Sequence, residues 1–200
     1  MSRGPKHDDF GVNWDADAIR ASKAPYPYTE PSFFNYFKDL VKPHDMVLEV
    51  GCQIASWIWA WWGTEPTVRY EGVDWSEVAL EIAKKRYGPG GTDVGKHLPA
   101  KFYLMDAREM DFKEEYDVCF THTFYQHTNI ETKRLVVPAV FKALKPGGLH
   151  IIQENTSYDS GGTWFKEGWI KHFTRSGFEL VRAHDIPGGG TGFVFRKPIA

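Results

Sequence analysis

The chain has 200 residues, of which 42% are hydrophobic and 25% charged, and a formal net charge of -2. This composition is typical of one globular α/β domain, and it argues against an extended basic surface for nucleic-acid phosphates. The first ten residues lack the apolar core of a signal peptide, and no apolar run has the length of a membrane span. We therefore expect a cytoplasmic protein that binds neither nucleic acid nor a membrane.

The chain is divided at residue 45 by a change in pattern. Residues 1–45 are assigned to an N-terminal arm, in which prolines keep residues 24–31 extended. The sequence SFFNYFKDLV (32–41) is amphipathic and predicts a helix. Residues 46–200 form the main part of what we expect to be a single domain.

From residue 46 onward, short apolar runs alternate with helical patterns, which is typical of a parallel sheet wrapped by helices. The runs are nearly continuous in apolar residues, as strands buried on both faces are. A later pair of strands, after about residue 178, is expected to be antiparallel. The first five predicted strands are 46–50, 69–74, 101–106, 116–121 and 149–154.

Helices are predicted between these strands. One follows the second strand, with Ser76 as its N-cap and Gly88 as its stop. A second, after the fourth strand, should be interrupted or begin again at Pro138, because proline lacks the N–H that a helix interior needs. A third should end at Gly177.

The two cysteines, Cys52 and Cys119, lie in or beside predicted buried strands rather than in a metal-binding spacing. This placement argues against a disulfide framework or a zinc site.

Two carboxylates follow predicted strand ends at the spacing of a nucleoside site. The first strand leads into Gly51, and the second ends at Asp74, 23 positions later (74 minus 51). Ligands of open parallel sheets bind at the carboxyl ends of the strands, and an acid about 20 residues after the loop glycine accepts hydrogen bonds from a ribose. A third acid, Asp106, could accept a hydrogen bond from an exocyclic amine. The pattern predicts an adenosine-type ligand.

The loop after the first strand keeps only one of the glycines that cradle a pyrophosphate. Gly51 is followed by Gln53 and Ala55, whereas the NAD fingerprint is Gly-x-Gly-x-x-Gly. Gln53 would crowd a diphosphate. A ligand without phosphate therefore fits better, and the missing glycines argue against the alternative of an NAD-dependent oxidoreductase.

Five motifs in order resemble the class I S-adenosylmethionine-dependent methyltransferases, over about residues 47–154. The resemblance implies a Rossmann-like α/β fold with a mostly parallel seven-stranded sheet, an antiparallel last strand and helices on both faces. It also implies S-adenosylmethionine as cofactor and S-adenosylhomocysteine as product. The motifs are LEVGC around Gly51, GVDWS around Asp74, MDAREM around Asp106, YDVCFTHTFYQH (116–127) and ALKPGGLHIIQE (143–154).

The resemblance also implies roles for individual residues around the cofactor. Glu49 would lie near the methionine amino group, with Gly51 as the first loop glycine. Asp74 would bind the ribose hydroxyls, and Trp75 would stack on the adenine. The remaining implied cofactor contacts are Asp106 and the Ala107 backbone at the adenine edge, Thr121 beside the methionine, and Tyr28 in a lid formed by the N-terminal arm and its helix.

Gln53 and Ala55 stand where the family usually has glycine. Ala55 adds only a methyl group where we expect the next helix to start. Gln53 would be strained if the loop needs a positive φ, although its amide could instead hydrogen-bond the cofactor carboxylate. We expect cofactor binding to be retained, because the other motif positions are intact.

His122 and His127 are the candidate catalytic residues, since both follow the fourth strand, where the family places substrate-facing groups. Histidine titrates near neutral pH and can take a proton from a hydroxyl or amine. His127 corresponds to a histidine frequent in small-molecule members and is interpreted as structural, whereas His122 has the better position for chemistry. A structural role for both stays open.

The aromatic residues allow several interpretations. Trp57, Trp59, Trp61 and Trp62 cannot share one helix face, and core packing is the favoured role, with a pocket wall or an exposed patch for a partner as alternatives. Trp164, Phe165 and Trp169 could form the far wall of an acceptor pocket or the dry face of the last helix.

The resulting hypothesis is a methyltransferase that modifies oxygen or nitrogen of a small molecule by direct in-line transfer, without a metal ion, as a monomer or homodimer. The motif of DNA amino-methylating enzymes is missing, and the metal-binding acids of catechol-type enzymes are replaced. The alternative is a catalytically inactive, methyltransferase-like partner subunit whose loop is altered by Gln53.

Overall fold

A seven-stranded mixed sheet forms the centre of the protein. The computed structural model describes residues 13–23, 35–156, 164–187 and 190–199. Strands β1 to β5 are parallel, and β7 is antiparallel to both β5 and β6, giving the order β3-β2-β1-β4-β5-β7-β6. The strands are β1 (Met46–Val50), β2 (Arg69–Asp74), β3 (Lys101–Leu104), β4 (Tyr116–His122), β5 (Leu144–Asn155), β6 (Glu179–Ile186) and β7 (Gly190–Arg196).

The predicted strands β1 and β2 are confirmed to the residue. Strand β3 is shorter than predicted, since it ends at Leu104 and the chain then turns into a short 3-10 helix. Strand β5 begins earlier than predicted because Leu144 already pairs with Tyr116, and an irregularity in register lets the two strands continue past the KPGG turn. The antiparallel pairing of β6 and β7 is confirmed.

Five α-helices are present among the described residues. The helix predicted after the second strand is confirmed, and its start is fixed by a local cap. The side chain of Ser76 accepts a hydrogen bond from Ala79 N at 3.0 Å, and the following helix ends at Gly88. The helices are α1 (Trp14–Ser22), α2 (Ile58–Thr64), α3 (Glu77–Tyr87), α4 (Ile130–Ala143) and α5 (Lys166–Arg175).

The predicted break at Pro138 is wrong, because α4 runs through this residue without interruption. Pro138 lies on the exposed face of the helix, as does Arg134, whose carbonyl loses its partner. Water can hydrate that carbonyl, so the missing hydrogen bond does not end the helix.

The predicted helix over residues 32–41 is wrong in the part that the structure describes, where only a 3-10 helix, Lys38–Leu40, is found. Phe37 is buried against Trp61 and Phe120, with ring centroids 6.1 and 6.4 Å away, so this segment follows the core rather than an amphipathic helix. The division of the chain at residue 45 stays a prediction.

Apolar side chains cover both faces of the sheet. One layer contains Trp61 and Trp62, which are fully buried, so the core interpretation is confirmed for them and that of an exposed partner patch is wrong. The other layer contains Trp169, also fully buried, whereas Phe165 is exposed. Trp169 therefore belongs to the dry face of α5.

Cys52 and Cys119 are both buried free thiols. Among the described residues, no helix combines the length and the apolar character needed to cross a bilayer.

Candidate active site

A cavity of about 370 Å³ opens at the carboxyl ends of strands β1 to β4. It lies where ligands of open α/β sheets bind, and its volume is within the range of small-molecule sites. The structure brings nine of the predicted site residues together on its walls. They are Glu49, Gly51, Gln53, Asp74, Trp75, Asp106, Ala107, His122 and His127.

Two predicted site residues are not found on these walls. Tyr28 lies outside the described residues. Thr121 is fully buried, and its hydroxyl has no hydrogen-bond partner among the described residues. Since successive side chains of a strand point to opposite faces, His122 faces the cavity and Thr121 faces the interior. The Thr121 side chain therefore does not line the cavity, and its contact with the cofactor stays a prediction.

Glu49 is a buried acid at the end of β1. It accepts a hydrogen bond from the Tyr70 hydroxyl, and burial raises its pKa to about 8, with a smaller contribution from the nearby charge of Asp74. An acid with this pKa is protonated at neutral pH and ionises when a cation lies beside it. The residue thus suits a ligand that carries a positive charge.

The buried acids predict a pH dependence of stability in the unliganded protein. Burial raises the pKa of Glu49 and Glu154 from 4.5 to about 8, so their contribution is complete below pH 4.5 and is lost as the pH rises towards 8. Burial lowers the pKa of His122 and His150 from 6.5 to about 4, so their contribution is complete above pH 6.5 and is lost as the pH falls. We therefore expect the free energy of unfolding to fall by about 2 kcal/mol between pH 6.5 and 8.

Urea titrations at pH 6.5, 7.2 and 8 measure this slope. The Glu49→Gln variant keeps an acceptor for the Tyr70 hydroxyl but removes one titrating group, so its slope should be about half that of the wild type. A wild-type stability that stays constant over this range would contradict the expectation.

Asp74 ties together the two loops on either side of the cavity. It is buried, and it accepts hydrogen bonds from Gln53 N and Ser76 N, both at 2.8 Å. Burial raises its pKa to about 6, although these backbone donors act in the opposite direction. Each carboxylate oxygen has a second acceptor site, so the residue can still bind hydroxyl groups in the cavity.

The loop after β1 has a left-handed backbone at three positions. The φ values are 74° at Gly51, 48° at Gln53 and 58° at Ala55. Gln53 therefore has the positive φ at which we expected a non-glycine residue to be strained. The expectation for Ala55 is corrected, because α2 begins only at Ile58 and Ala55 lies in the strained turn before it. A side chain at Gly51 would also collide with Phe124, 2.5 Å from the added carbon.

The amide of Gln53 is held by α1. Gln53 Nε2 donates to Asp17 Oδ2 at 2.6 Å, and both residues line the cavity. A second bond from Ser76 Oγ to Asp15 Oδ1, at 2.5 Å, joins α1 to the start of α3. Helix α1 therefore covers part of the cavity and is hydrogen-bonded to the loop after β1 and to the loop after β2.

Sequence reasoning missed α1, although a signal for it exists. The Asn13 side chain caps the helix by accepting from Ala16 N at 3.0 Å, and Asp15 and Asp17 occupy its first turn. An asparagine followed by acidic residues is a start signal that can be recognised without the structure.

Two variants of Gln53 separate strain from hydrogen bonding. Both Gln53→Ala and Gln53→Gly lose the bond to Asp17, but glycine adopts φ of 48° freely and alanine does not. Gln53→Ala should therefore be less stable than Gln53→Gly by about 1 kcal/mol, measured by urea unfolding. Asp17→Ala is the matched control, since it removes the same bond and leaves the backbone strain in place. An alanine variant as stable as the glycine variant would show that the position is not left-handed.

Asp106 is already paired with a residue that sequence reasoning missed. It caps the 3-10 helix Ala107–Glu109 by accepting from Arg108 N at 2.9 Å, and Arg108 Nε donates to the same carboxylate at 2.9 Å. Arg108 itself lines the cavity. An acid and its basic partner thus stand together at the end of β3.

The two candidate histidines lie against tryptophans on the β4 side of the cavity. His122 packs on Trp57, with ring centroids 4.5 Å apart, and burial lowers its pKa to about 4. His127 makes an edge contact with Trp14 at 5.0 Å. At neutral pH, His122 is therefore uncharged and can accept a hydrogen bond.

Glu154, at the end of β5, holds the loop that carries His127. This fully buried carboxylate accepts hydrogen bonds from Tyr125 N and Gln126 N, both at 2.9 Å. The Gln126 side chain in turn accepts from Asn155 N at 2.9 Å. The wall of the cavity after β4 is thus fixed from behind by β5.

Comparison with known proteins identifies the family. A methyltransferase-domain family matches residues 47–148, which are 102 of the 200 residues (148 minus 46). The chain belongs to the class I S-adenosylmethionine-dependent methyltransferases. No curated protein shows a significant sequence match to this methyltransferase.

Solved structures share the methyltransferase fold at low sequence identity. The N-methyltransferase NodS from Bradyrhizobium japonicum WM9, in complex with S-adenosyl-l-homocysteine, is 16% identical with a TM-score of 0.71, over 94% of this chain and 100% of NodS. A SAM-dependent methyltransferase from Methanosarcina mazei is 16% identical with a TM-score of 0.67, over 86% and 99% of the chains. The [4+2]-cyclase SpnF is 13% identical with a TM-score of 0.78, over 98% and 97%.

Proposed function

We propose that this methyltransferase transfers a methyl group from S-adenosylmethionine to oxygen or nitrogen of a small molecule, without a metal ion, as a cytoplasmic monomer or homodimer. The observation that carries the proposal is one continuous cavity. It joins the acids at the ends of β1 to β3 to His122 at the end of β4 and His127 after it.

The residues present fit the cofactor. Glu49 would bind the ammonium group, since a buried acid with a raised pKa gains its charge beside a cation. Asp74 would bind the ribose hydroxyls through its second acceptor sites. Trp75 would face the adenine, and Asp106 with the Ala107 backbone would bind its edge. Gln53 would not obstruct this arrangement, because its amide is engaged by Asp17.

When bound, S-adenosylmethionine would supply an activated methyl group. A lone pair of the acceptor would attack the methyl carbon, with the sulfur as the leaving group. The protein's own contribution is to hold the acceptor in line, which accounts for much of the acceleration in reactions between two bound molecules. Uncharged His122 can accept a hydrogen bond from the acceptor hydroxyl or amine and so orient it, but a pKa of about 4 makes it a weak base for the proton that is released.

Metal-independent transfer is supported by the donor groups after β4 and β5. Catechol-type enzymes carry metal-binding acids at these places. Here Thr121 and His122 stand at the end of β4, and Glu154 at the end of β5 already accepts hydrogen bonds from two backbone N–H groups. A cavity of about 370 Å³, partly covered by α1, also suits a small acceptor better than a macromolecule.

Isothermal calorimetry with S-adenosylmethionine, S-adenosylhomocysteine and NAD tests the proposal directly. Saturable binding of the first two, without binding of NAD, is expected. Formation of S-adenosylhomocysteine from a pool of small metabolites, undiminished in excess chelator, would support both transfer and metal independence. Binding without any product formation would sink the small-molecule hypothesis.

The strained backbone at Gln53 and Ala55 favours a second candidate, an inactive methyltransferase-like subunit. In that case the wild type would not bind either methionine derivative, and Gln53→Gly would restore binding. Saturable binding together with product formation by the wild type excludes this candidate.

A further inference from the structure

The β4 side of the cavity is lined by rings. Five ring side chains lie there, and we call this set the aromatic wall. Its members come from three separate parts of the chain: α1, the loop after β1, and the end of β4 with the segment that follows it. They are Trp14, Trp57, His122, Phe124 and His127.

The rings of the aromatic wall support one another. Trp57 contacts His122 at 4.5 Å and Phe120 at 6.0 Å between centroids, and it is almost fully buried. Phe124 makes an edge contact with Tyr125 at 5.2 Å, and Tyr125 is itself held by Glu154. Rings with this support keep their orientation, so they form a preorganised surface for a flat ligand.

The charged residues of the cavity lie elsewhere. Glu49 and Asp74 lie at the ends of β1 and β2, and Asp106 and Arg108 follow β3, where the cofactor is proposed to bind. The remaining charged lining residue, Asp17, is bonded to Gln53 and paired with Arg20.

His122 of the aromatic wall is uncharged at neutral pH, because burial lowers its pKa to about 4. The hydroxyl-bearing lining residues next to the wall are Ser56, Thr123, Thr128 and Thr132. The wall itself carries no lysine or arginine, so a carboxylate or phosphate on the acceptor would lose its hydration here without gaining either as a partner, which is costly.

We propose that the acceptor of this methyltransferase is an uncharged, planar aromatic or heteroaromatic molecule with a ring hydroxyl or amine. This inference rests on the proposed function of the same cavity. In the transfer to a hydroxyl, the oxygen–methyl bond forms as the sulfur–methyl bond breaks. The sulfur keeps the electron pair of the broken bond, and the hydroxyl proton passes along a hydrogen bond to a ring nitrogen of His122 and from there to solvent water.

Calorimetry with three probes tests the ring and the charge separately, on the full chain with and without saturating S-adenosylhomocysteine. The probes are 7-hydroxyquinoline (flat, neutral), cyclohexanol (not flat, neutral) and 4-hydroxybenzoate (flat, anionic). We expect 7-hydroxyquinoline to bind about tenfold more tightly than either of the others. Equal affinities for 7-hydroxyquinoline and cyclohexanol, or tighter binding of 4-hydroxybenzoate, would overturn the inference.

A matched pair of variants locates the binding surface. Trp14→Leu removes a ring of the aromatic wall and should weaken 7-hydroxyquinoline binding by about fivefold. Trp164→Leu makes the same change at a half-buried tryptophan that packs on Trp169 and His172, away from the cavity, and should leave the affinity unchanged. Equal losses in both variants would place the probe outside the aromatic wall.

The titrations distinguish failure of this inference from failure of the proposed function. Binding of S-adenosylhomocysteine without discrimination among the probes refutes the aromatic acceptor and leaves the methyltransferase intact. Discrimination among the probes without binding of S-adenosylhomocysteine supports the aromatic site and refutes the proposed function.

Discussion

Replacing Asp74 with alanine is expected to weaken the binding of S-adenosylhomocysteine by about 100-fold, since hydrogen bonds to a charged acceptor are among the stronger ones. Two effects act in the same direction. The variant loses the acceptor proposed for the ribose hydroxyls, and it also releases Gln53 N and Ser76 N, which the carboxylate holds at 2.8 Å. The loop after β1 would then no longer be tied to the start of α3. Isothermal calorimetry measures the change.

Asp39→Ala is the matched control for this variant. Asp39 is exposed and pairs with Arg182 at 3.0 Å on the surface, so its loss should leave the affinity for S-adenosylhomocysteine unchanged. An Asp74→Ala variant that binds as tightly as the wild type, while Asp39→Ala does the same, would mean that the cofactor does not use the end of β2.

Replacing Glu154 with alanine is expected to lower the free energy of unfolding by about 3–5 kcal/mol. The carboxylate is fully buried, and its removal leaves Tyr125 N and Gln126 N without acceptors inside the protein. Each unpaired buried donor costs roughly 1–3 kcal/mol. Urea unfolding at pH 7 measures the loss.

The same variant should affect the two parts of the cavity differently. Because Glu154 supports the loop with Phe124 and His127, acceptor turnover should fall, whereas the affinity of the folded variant for S-adenosylhomocysteine should stay within about threefold of the wild type. Glu115→Ala, at an exposed acid, should change stability by no more than about 0.5 kcal/mol. A Glu154→Ala variant within 1 kcal/mol of the wild type would show that water replaces the lost acceptor.

The parts of the fold that follow local rules could be predicted. Strands β1 and β2 were bounded correctly because their apolar runs end in turns, and α3 because Ser76 caps it. The errors arose where burial overrides a local pattern. Pro138 is tolerated because its side of α4 faces solvent, and Phe37 enters the core instead of extending a helix. Neither the solvent-facing side nor the core contact can be derived from the neighbouring residues alone.

The strand pattern and the spacing of Gly51, Asp74 and Asp106 were enough to predict the sheet and that these residues meet at its carboxyl edge, since parallel strands bring their ends together whatever the intervening loops do. Tertiary structure alone decided how that edge is built. The bond from Gln53 to Asp17 joins residues 36 positions apart, and Glu154 reaches Tyr125 across 29 positions. Contacts of this kind depend on how distant segments pack, and the conformation of a loop such as that at Gln53 follows from those contacts rather than from its own sequence.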